Sequence, residues 1–226
     1  RPDCIWLIKE GGENEKMNTQ FGFNFSVTSG SPYGVSIDFI LPTGIATIAT
    51  KSGAGGWCTG GNLLAFDSNG NYVECSITYV YNISGGPSRG WYFWAGYNGA
   101  TKAYLALSAD PTGHSVTMRL LYNGNNWEAD LTDHTNGSNN TSFGYNPSLA
   151  GYIIPSGAMF FENGGDTNCC DYSNTFGGMT FSNLKFYNQS GGTIPCSTSI
   201  SQHNQNTPTS NCAHTQSTWI NETINS

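Results

Sequence analysis

The spacing of apolar residues along the chain predicts β-strands throughout. Apolar side chains recur at every second position, which is the period of a half-buried strand, and no segment shows a sustained helical period. The alternating sets are Phe21, Phe23, Phe25 and Val27; Val35, Ile37, Phe39 and Leu41; Val73, Cys75, Ile77, Tyr79 and Tyr81; and Val116, Met118, Leu120 and Tyr122. About eleven such strands with glycine-rich turns predict an all-β fold, an antiparallel two-sheet β-sandwich of the jelly-roll, concanavalin-like type.

The segment from Gly90 to Tyr97 reads Gly-Trp-Tyr-Phe-Trp-Ala-Gly-Tyr. Four aromatic residues in a row favour a strand that is buried on both faces, so we expect a central strand here. An alternative is that alternate rings form a platform for sugars. Trp57, Trp91 and Trp94 are the candidate carbohydrate-binding residues.

Composition divides the chain into three regions. Residues 1–18 hold an apolar run followed by a polar connector, and we expect them to dock on the sandwich or on a neighbouring copy. The sandwich domain is predicted over residues 19–187. Residues 188–226 are mostly polar and form a tail that cannot bury enough apolar surface to order itself.

Two finer features are predicted within the sandwich. Residues 51–61 are rich in glycine, which is typical of a surface loop. Leu184 and Phe186 fall out of phase with Met179 and Phe181, which predicts a β-bulge near Ser182 and Asn183.

The charge pattern limits the partners. Charged residues make up 10% of the chain and the net charge is -7 with no basic run, which argues against nucleic acid. No apolar run is long enough to span a bilayer. We expect no cofactor and no metal, since Cys169 and Cys170 are adjacent and no histidine pair has ligand spacing. The expected partners are copies of the same chain and covalent N-glycans.

Cysteine and asparagine usage predicts secretion to the cell exterior or the cell surface. The chain has 7 cysteines, which suggests an oxidising compartment. It starts at Arg1, as we expect of a mature form whose leader has been removed. Asn-X-Ser/Thr sequons, which are acceptors for N-glycans, occur at Asn24, Asn82, Asn136, Asn139, Asn140, Asn188 and Asn221.

The cysteines predict disulfide bonds with one thiol left over. They are Cys4, Cys58, Cys75, Cys169, Cys170, Cys196 and Cys212. Proximity in sequence suggests Cys58 with Cys75 and Cys196 with Cys212, although spacing alone leaves many pairings open. An odd thiol in a secreted protein also allows a bond between two molecules.

Candidate catalytic residues are few. No histidine lies in a context typical of nucleophilic catalysis. Glycoside hydrolysis by paired carboxyl groups needs two acids that face each other across a cleft, and Glu74, Glu128 and Glu162 are the acids carried on predicted strands. Glu162 is the candidate because it ends an apolar strand, although acids at strand ends are also common on plain surfaces.

Two patches resemble the eqolisin family of glutamic peptidases, secreted acid proteases with a jelly-roll sandwich. Residues 90–94, Gly-Trp-Tyr-Phe-Trp, are similar to that family's Trp-Tyr-Glu-Trp strand. Residues 157–162 and 176–183 are similar to its Glu-Trp-apolar-apolar-Glu strand and the strand that follows it. The resemblance implies a catalytic Gln and Glu, but the Glu position falls at Ala158 and no Gln occurs in residues 76–80, so both catalytic positions are missing. Glu162 matches only the later acid of the motif.

Three functions are therefore open. The preferred hypothesis is a secreted, N-glycosylated structural protein without enzymatic activity, a subunit of an extracellular filament or surface layer that is joined by docking of terminal segments. The alternatives are a carbohydrate-binding module and an acid glutamic-type peptidase.

Overall fold

The computed structural model describes residues 17–41, 43, 56–81, 86–165 and 181–206. Over these residues the chain forms β-strands and one short 3-10 turn, Gly137–Asn139. The strands are β1 (Met17–Ser29), β2 (Gly34–Ile40), β3 (Gly56–Phe66), β4 (Tyr72–Tyr81), β5 (Gly90–Tyr97), β6 (Ala100–Ala106), β7 (Ser115–Tyr122), β8 (Trp127–Asp133), β9 (Thr141–Tyr145), β10 (Ser156–Gly165), β11 (Phe181–Tyr187), β12 (Thr193–Ile194) and β13 (Ser197–Asn206).

The strands form two antiparallel sheets that pack as a sandwich, as predicted. The seven-stranded sheet has the order β13-β1-β10-β3-β4-β5-β6, and the six-stranded sheet has the order β12-β11-β2-β7-β8-β9. Neighbouring strands that are distant in sequence, such as β1 and β10, are what a jelly-roll topology requires. No helix in the described part of the chain is long and apolar enough to cross a membrane.

The core lies between the sheets and is built by the alternating apolar positions. Phe23 and Phe25 of β1 meet Phe181 and Phe186 of β11 edge to face, with ring centroids 5.2 and 5.7 Å apart. Such aromatic contacts between the two inner faces add to the area that each ring buries. The alternation read from the sequence therefore predicts the core face of these strands.

The aromatic strand β5 is buried on both faces, also as predicted. Phe93 points into the core and stacks on Phe143 at 5.4 Å, whereas Trp94 lies on the outer face and is 2% exposed. The strand lies inside the sheet, between β4 and β6, but next to the edge and not at the middle, because β6 is the edge strand.

The prediction of a surface loop over residues 51–61 is wrong from residue 56, where β3 begins. β3 lies inside the seven-stranded sheet, between β10 and β4. Its glycines permit close packing, since a Cβ on Gly61 would lie 2.6 Å from the Phe39 ring. Glycine in a strand interior often marks such a close approach.

The sandwich extends past residue 187, where the sequence predicts it to end. β13 pairs with β1 from Ser197 to Asn206. An edge strand of this kind is held by backbone hydrogen bonds to its neighbour, so it needs few buried side chains. The predicted bulge in β11 is confirmed by a register shift between Ser182 and Lys185.

Neither guessed disulfide pair is present, because Cys75 and Cys196 are free cysteines. On the paired strands β3 and β4, Cys58 lies opposite Tyr79, whereas Cys75 lies opposite Leu63. The two cysteines are thus offset by four residues, roughly 13 Å at the rise of a strand, which exceeds the reach of a disulfide. Cys212, the other cysteine of the second guessed pair, lies outside the described residues.

Candidate functional site

The outer face of the seven-stranded sheet carries a buried polar layer. Alternation along β3 and β4 sends Leu63 and Cys75 into the core, so that Asn62 and Glu74 point away from it. Polar side chains on this face are nevertheless covered. The buried ones are Thr59, Asn62, Glu74, Ser76, Thr78 and Glu162, each at most 2% exposed.

Within this layer, Glu74, Asn62 and Glu162 form what we call the carboxyl cluster. The three residues come from β4, β3 and β10, which are adjacent in the sheet. Asn62 lies between the two acids, and its Nδ2 donates to Glu74 Oε2 at 3.5 Å and to Glu162 Oε2 at 3.4 Å. The oxygen of the same amide, the buried Asn62 Oδ1, has no hydrogen-bond partner among the described residues. Two carboxyl groups from distant parts of the chain therefore meet around one amide.

A bulge in β3 fixes the backbone of Glu162. The pairing of β3 with β10 shifts register between Phe160 and Glu162, so a side chain takes over the backbone hydrogen bonds. The Thr59 hydroxyl accepts from Glu162 N at 2.8 Å and donates to Glu162 O at 3.1 Å. Bulges near active sites often redirect a side chain in this way.

Burial sets the protonation of Glu74. Its pKa is raised to about 8, first because burial disfavours the charged form and next because Glu162 is close; hydrogen bonds from Asn62 and the Gly99 amide act in the opposite direction. The Gly99 N–H donates to Glu74 Oε1 at 3.1 Å. Two close carboxyl groups disfavour double ionisation. Glu74 is therefore protonated at neutral and acidic pH.

A row of hydroxyl groups continues from the cluster toward β5. The Ser76 hydroxyl donates to Gly61 O at 2.9 Å and lies 3.0 Å from the Thr78 hydroxyl. Trp94 Nε1 donates to the same Thr78 oxygen at 2.8 Å. On the opposite side, a small apolar cluster is formed by Leu64, Ala158 and Phe160. The carboxyl cluster thus lies at the boundary between a polar and an apolar surface.

This arrangement places two carboxyl groups side by side, one of which, Glu74, carries a proton at neutral pH. A buried acid whose pKa is raised toward neutral pH is suited to general acid catalysis.

The sequence predicted Glu162 as the candidate catalytic acid and named Glu74 as one of the other acids on predicted strands. Glu162 is brought together with Glu74, whereas Glu128 lies on the six-stranded sheet near Arg119. Ala158, the position of the catalytic Glu in the resemblance, belongs to the apolar cluster. Asn62 was missed, because only the pairing of β3 with β4 and β10 shows that it lies between two acids.

The proposed tryptophan platform has little exposed surface. Trp91 is 8% exposed and packs edge to face on Tyr79, with centroids 5.1 Å apart. Trp94 is 2% exposed. Neither ring offers an open face to a sugar. Trp57 lies on β3, but its side chain is outside the described residues.

The sequons differ in accessibility. Asn139 is 2% exposed, and its Nδ2, the atom that carries a glycan, donates to Asp133 at 2.9 Å. A glycan there would require this bond to break. Asn140 is exposed, while Asn24, Asn136 and Asn188 are half-buried. The sequons at Asn82 and Asn221 lie outside the described residues.

Comparison with known proteins gives structural neighbours only. No family model matches the chain and no curated protein does. A crystal structure of scytalido-glutamic peptidase with a peptide-based transition state analogue has a TM-score of 0.44 and 13% identity, covering 78% of this chain and 83% of that one. SCP-B, a member of the eqolisin family, has a TM-score of 0.38 and 15% identity over 78% and 82%. A toad ovary galectin in complex with thio-digalactose has a TM-score of 0.34 and 10% identity over 71% and 98%. The structural neighbours of this chain thus include eqolisin peptidases, the family that its sequence resembles.

Proposed function

We propose that this chain is a hydrolase of peptide bonds that works at acidic to neutral pH, with Glu74 as the general acid and Glu162 as the general base. The observation that carries the proposal is the carboxyl cluster, in which Asn62 Nδ2 contacts both acids. A raised pKa in a buried acid with a specific charged neighbour favours a functional site.

The reaction follows from the roles of the two acids. Ionised Glu162 takes a proton from a water molecule, and the water oxygen attacks the peptide carbonyl carbon. Once Glu162 has taken the proton, the Asn62 N–H that donated to Glu162 turns to the oxyanion that forms, as donors do in oxyanion holes. Protonated Glu74 gives its proton to the leaving nitrogen, and the C–N bond breaks to release an acid and an amine. The proton on Glu162 then passes to Glu74 through solvent.

Two conditions follow from this assignment. Both carboxyl groups are at most 2% exposed, so hydrolysis requires neighbouring residues to move before substrate can reach them. Activity must also fall as the pH rises through about 8, because Glu74 then loses the proton that it donates.

A cleavage assay with matched variants tests the proposal. A denatured, fluorescently labelled protein is incubated with the full chain from pH 3 to pH 9. We expect cleavage below about pH 8, and Glu162→Gln or Glu74→Gln should each reduce it at least about 100-fold, which is a typical effect of losing a general acid or base. Glu128→Gln, on the other sheet, should leave the rate unchanged. Absence of cleavage at every pH, or equal cleavage by Glu162→Gln, would refute the proposal.

A second candidate is a secreted, N-glycosylated structural subunit that binds copies of itself outside the cell. The observation that favours it is an apolar side chain on the inner side of the sandwich, Ile200, which is 39% exposed. An uncovered inner position at a sheet edge is a site for strand addition from another molecule. Electron micrographs of purified protein discriminate the two candidates, since a subunit of this kind forms filaments or layers and a soluble hydrolase gives single particles.

A further inference from the structure

Three connecting segments meet at one end of the six-stranded sheet. They are the turn between β7 and β8, the turn between β11 and β12, and Tyr33, which precedes β2. Because β11, β2, β7 and β8 are antiparallel neighbours, these segments lie at the same end. Two backbone hydrogen bonds of 2.8 Å hold Tyr33 between the turns, one from its own N–H to Tyr187 O and one from Tyr122 N–H to its carbonyl.

The three segments border an open pocket of about 720 Å³. Its lining consists of Tyr33, residues 123–125 and residues 188–190, and none of these residues carries a charge. The volume is within the range of small-molecule sites, about 300 to 1,000 Å³. The lining offers an aromatic ring, amides and a hydroxyl group, so it matches a neutral ligand that has hydroxyl and amide groups of its own.

The Asn123 side chain fixes the turn between β7 and β8. Its Oδ1 accepts from the backbone N–H groups of Asn125 and Asn126, each at 3.0 Å, and its Nδ2 donates to Glu128 Oε1 at 2.7 Å. The Asn125 side chain, in contrast, is exposed and has no hydrogen-bond partner among the described residues. The turn therefore offers a free amide to a ligand in the pocket.

The opposite turn is fixed by Asn188, the first residue of the sequon over residues 188–190. Its Oδ1 accepts from Ser190 N at 3.1 Å, from Ser190 Oγ at 2.8 Å and from Gly192 N at 2.8 Å. Its Nδ2, the atom that carries an N-glycan, donates no hydrogen bond to another described residue. A glycan at Asn188 therefore leaves these hydrogen bonds in place, whereas at Asn139 it would break an Nδ2 hydrogen bond.

We propose that Asn188 carries an N-glycan and that this pocket holds the first N-acetylglucosamine of that glycan. The inference rests on the N-glycosylation in the second candidate function and specifies a site for it. Asn188 itself lines the pocket, so its first sugar is attached at the pocket wall. The apolar C–H face of the sugar can pack on the Tyr33 ring, and its acetamido and hydroxyl groups can bond to the Asn125 amide.

The covalent step needs a lipid-linked oligosaccharide diphosphate as the sugar donor and a separate transferase as the catalyst. A bond forms between Asn188 Nδ2 and C1 of the sugar, and the bond between C1 and the diphosphate oxygen breaks. The lipid diphosphate leaves with the bonding electrons, and Nδ2 loses one proton. Oδ1 takes no part in this exchange, so it can accept the same hydrogen bonds in the glycoprotein.

Glycopeptide mapping tests the attachment. The full chain is secreted from a eukaryotic cell line, and its N-glycans are released enzymatically in heavy-oxygen water, which converts each glycosylated Asn into labelled Asp. We expect label at Asn188. Ser190→Ala should abolish it, whereas Ser190→Thr, which keeps the sequon, should retain it. The measurement depends on neither peptide hydrolysis nor self-assembly.

Two outcomes of the mapping overturn the proposal, and they differ in what else they affect. Label at other sequons but not at Asn188 would refute this site and leave N-glycosylation intact. Label at no sequon would also remove N-glycosylation from the second candidate function. If free diacetylchitobiose then bound to the pocket, the pocket would be a site for sugars of another molecule.

A double-mutant cycle on thermal unfolding tests the pocket itself. Asn125→Ala and Tyr33→Leu are each made in the glycosylated chain and in the Ser190→Ala chain, which lacks this glycan. We expect each change to lower the Tm by about 2 to 4 °C more when the glycan is present, the shift expected for one lost contact in a chain of this length. The comparison cancels any packing that Tyr33→Leu loses in both chains.

Asn146→Ala is the matched control, because Asn146 is exposed and is not part of the pocket lining. It should change the Tm equally in both chains. Equal effects of Asn125→Ala and of Tyr33→Leu in the two chains would show that the pocket does not hold the sugar, even if Asn188 is glycosylated.

Discussion

Two pairs of acids, one on the outer face of each sheet, differ in their burial and in the described polar group that they contact. On the six-stranded sheet, Arg119 lies 2.7 Å from Asp130 and 3.9 Å from Glu128. These side chains are 18% to 32% exposed. On the seven-stranded sheet, Glu74 and Glu162 are at most 2% exposed and contact the neutral amide of Asn62.

The two pairs differ in their access to water. Exposed ion pairs contribute little to stability, whereas a buried carboxyl loses the water that would stabilise its charge. Among the described residues, no cation contributes to the pKa of Glu74, and burial favours the form that keeps its proton. A glutamate is therefore part of a partly exposed ion pair on one sheet and a buried carboxyl with a raised pKa on the other.

The largest expected effect is on the pH dependence of stability. Glu74 has a raised pKa in the folded state, so the folded chain binds a proton that the unfolded chain releases above about pH 4.5. The contribution of Glu74 is therefore greatest below that pH and is lost as the pH rises toward 8. The free energy of unfolding should fall by about 1.4 kcal/mol per pH unit in this interval, or about 4 kcal/mol from pH 5 to pH 8.

Denaturant unfolding of the wild type and of Glu74→Gln measures this slope. Gln copies the neutral carboxyl but does not titrate, so the variant should lose the slope and be the more stable protein at pH 8. Glu128→Gln should retain the wild-type slope. Parallel pH profiles for wild type and Glu74→Gln would show that Glu74 titrates normally.

A smaller effect is expected at the amide of the carboxyl cluster. Asn62→Leu removes the amide that donates to both acids and leaves their buried oxygens without this donor. The free energy of unfolding should fall by roughly 2 to 3 kcal/mol. The same change at Asn146, which is exposed, should alter the free energy of unfolding by less than about 0.5 kcal/mol. An equal loss in both variants would mean that Asn62 has no special role.

The smallest effect is expected on the six-stranded sheet. Arg119→Met removes an exposed ion pair, which should cost less than about 1 kcal/mol. The loss should shrink further at 1 M salt, since salt screens surface charges. Thermal unfolding at two salt concentrations checks this, and a loss above 2 kcal/mol would show that the two acid pairs are more alike than proposed.

The alternation of apolar residues was sufficient to predict the sandwich, because a strand buried on one face repeats every second residue. It failed for β3, where glycines that allow close packing resemble those of a loop. It also failed for β13, since backbone pairing at a sheet edge leaves little trace in side-chain composition. Glu162 could be selected because it ends an apolar strand, but its meeting with Asn62 and Glu74 depends on the pairing of β10, β3 and β4.

Direct titration of the Glu74 carboxyl tests the central claim. Carbon-13 NMR of chains labelled in glutamate, with the Glu74 signal assigned by its loss in Glu74→Gln, follows the carboxyl shift from pH 3 to pH 9. The carboxyl cluster predicts a midpoint near 8 for Glu74. A midpoint below about 5, in the ordinary range for glutamate, would contradict it.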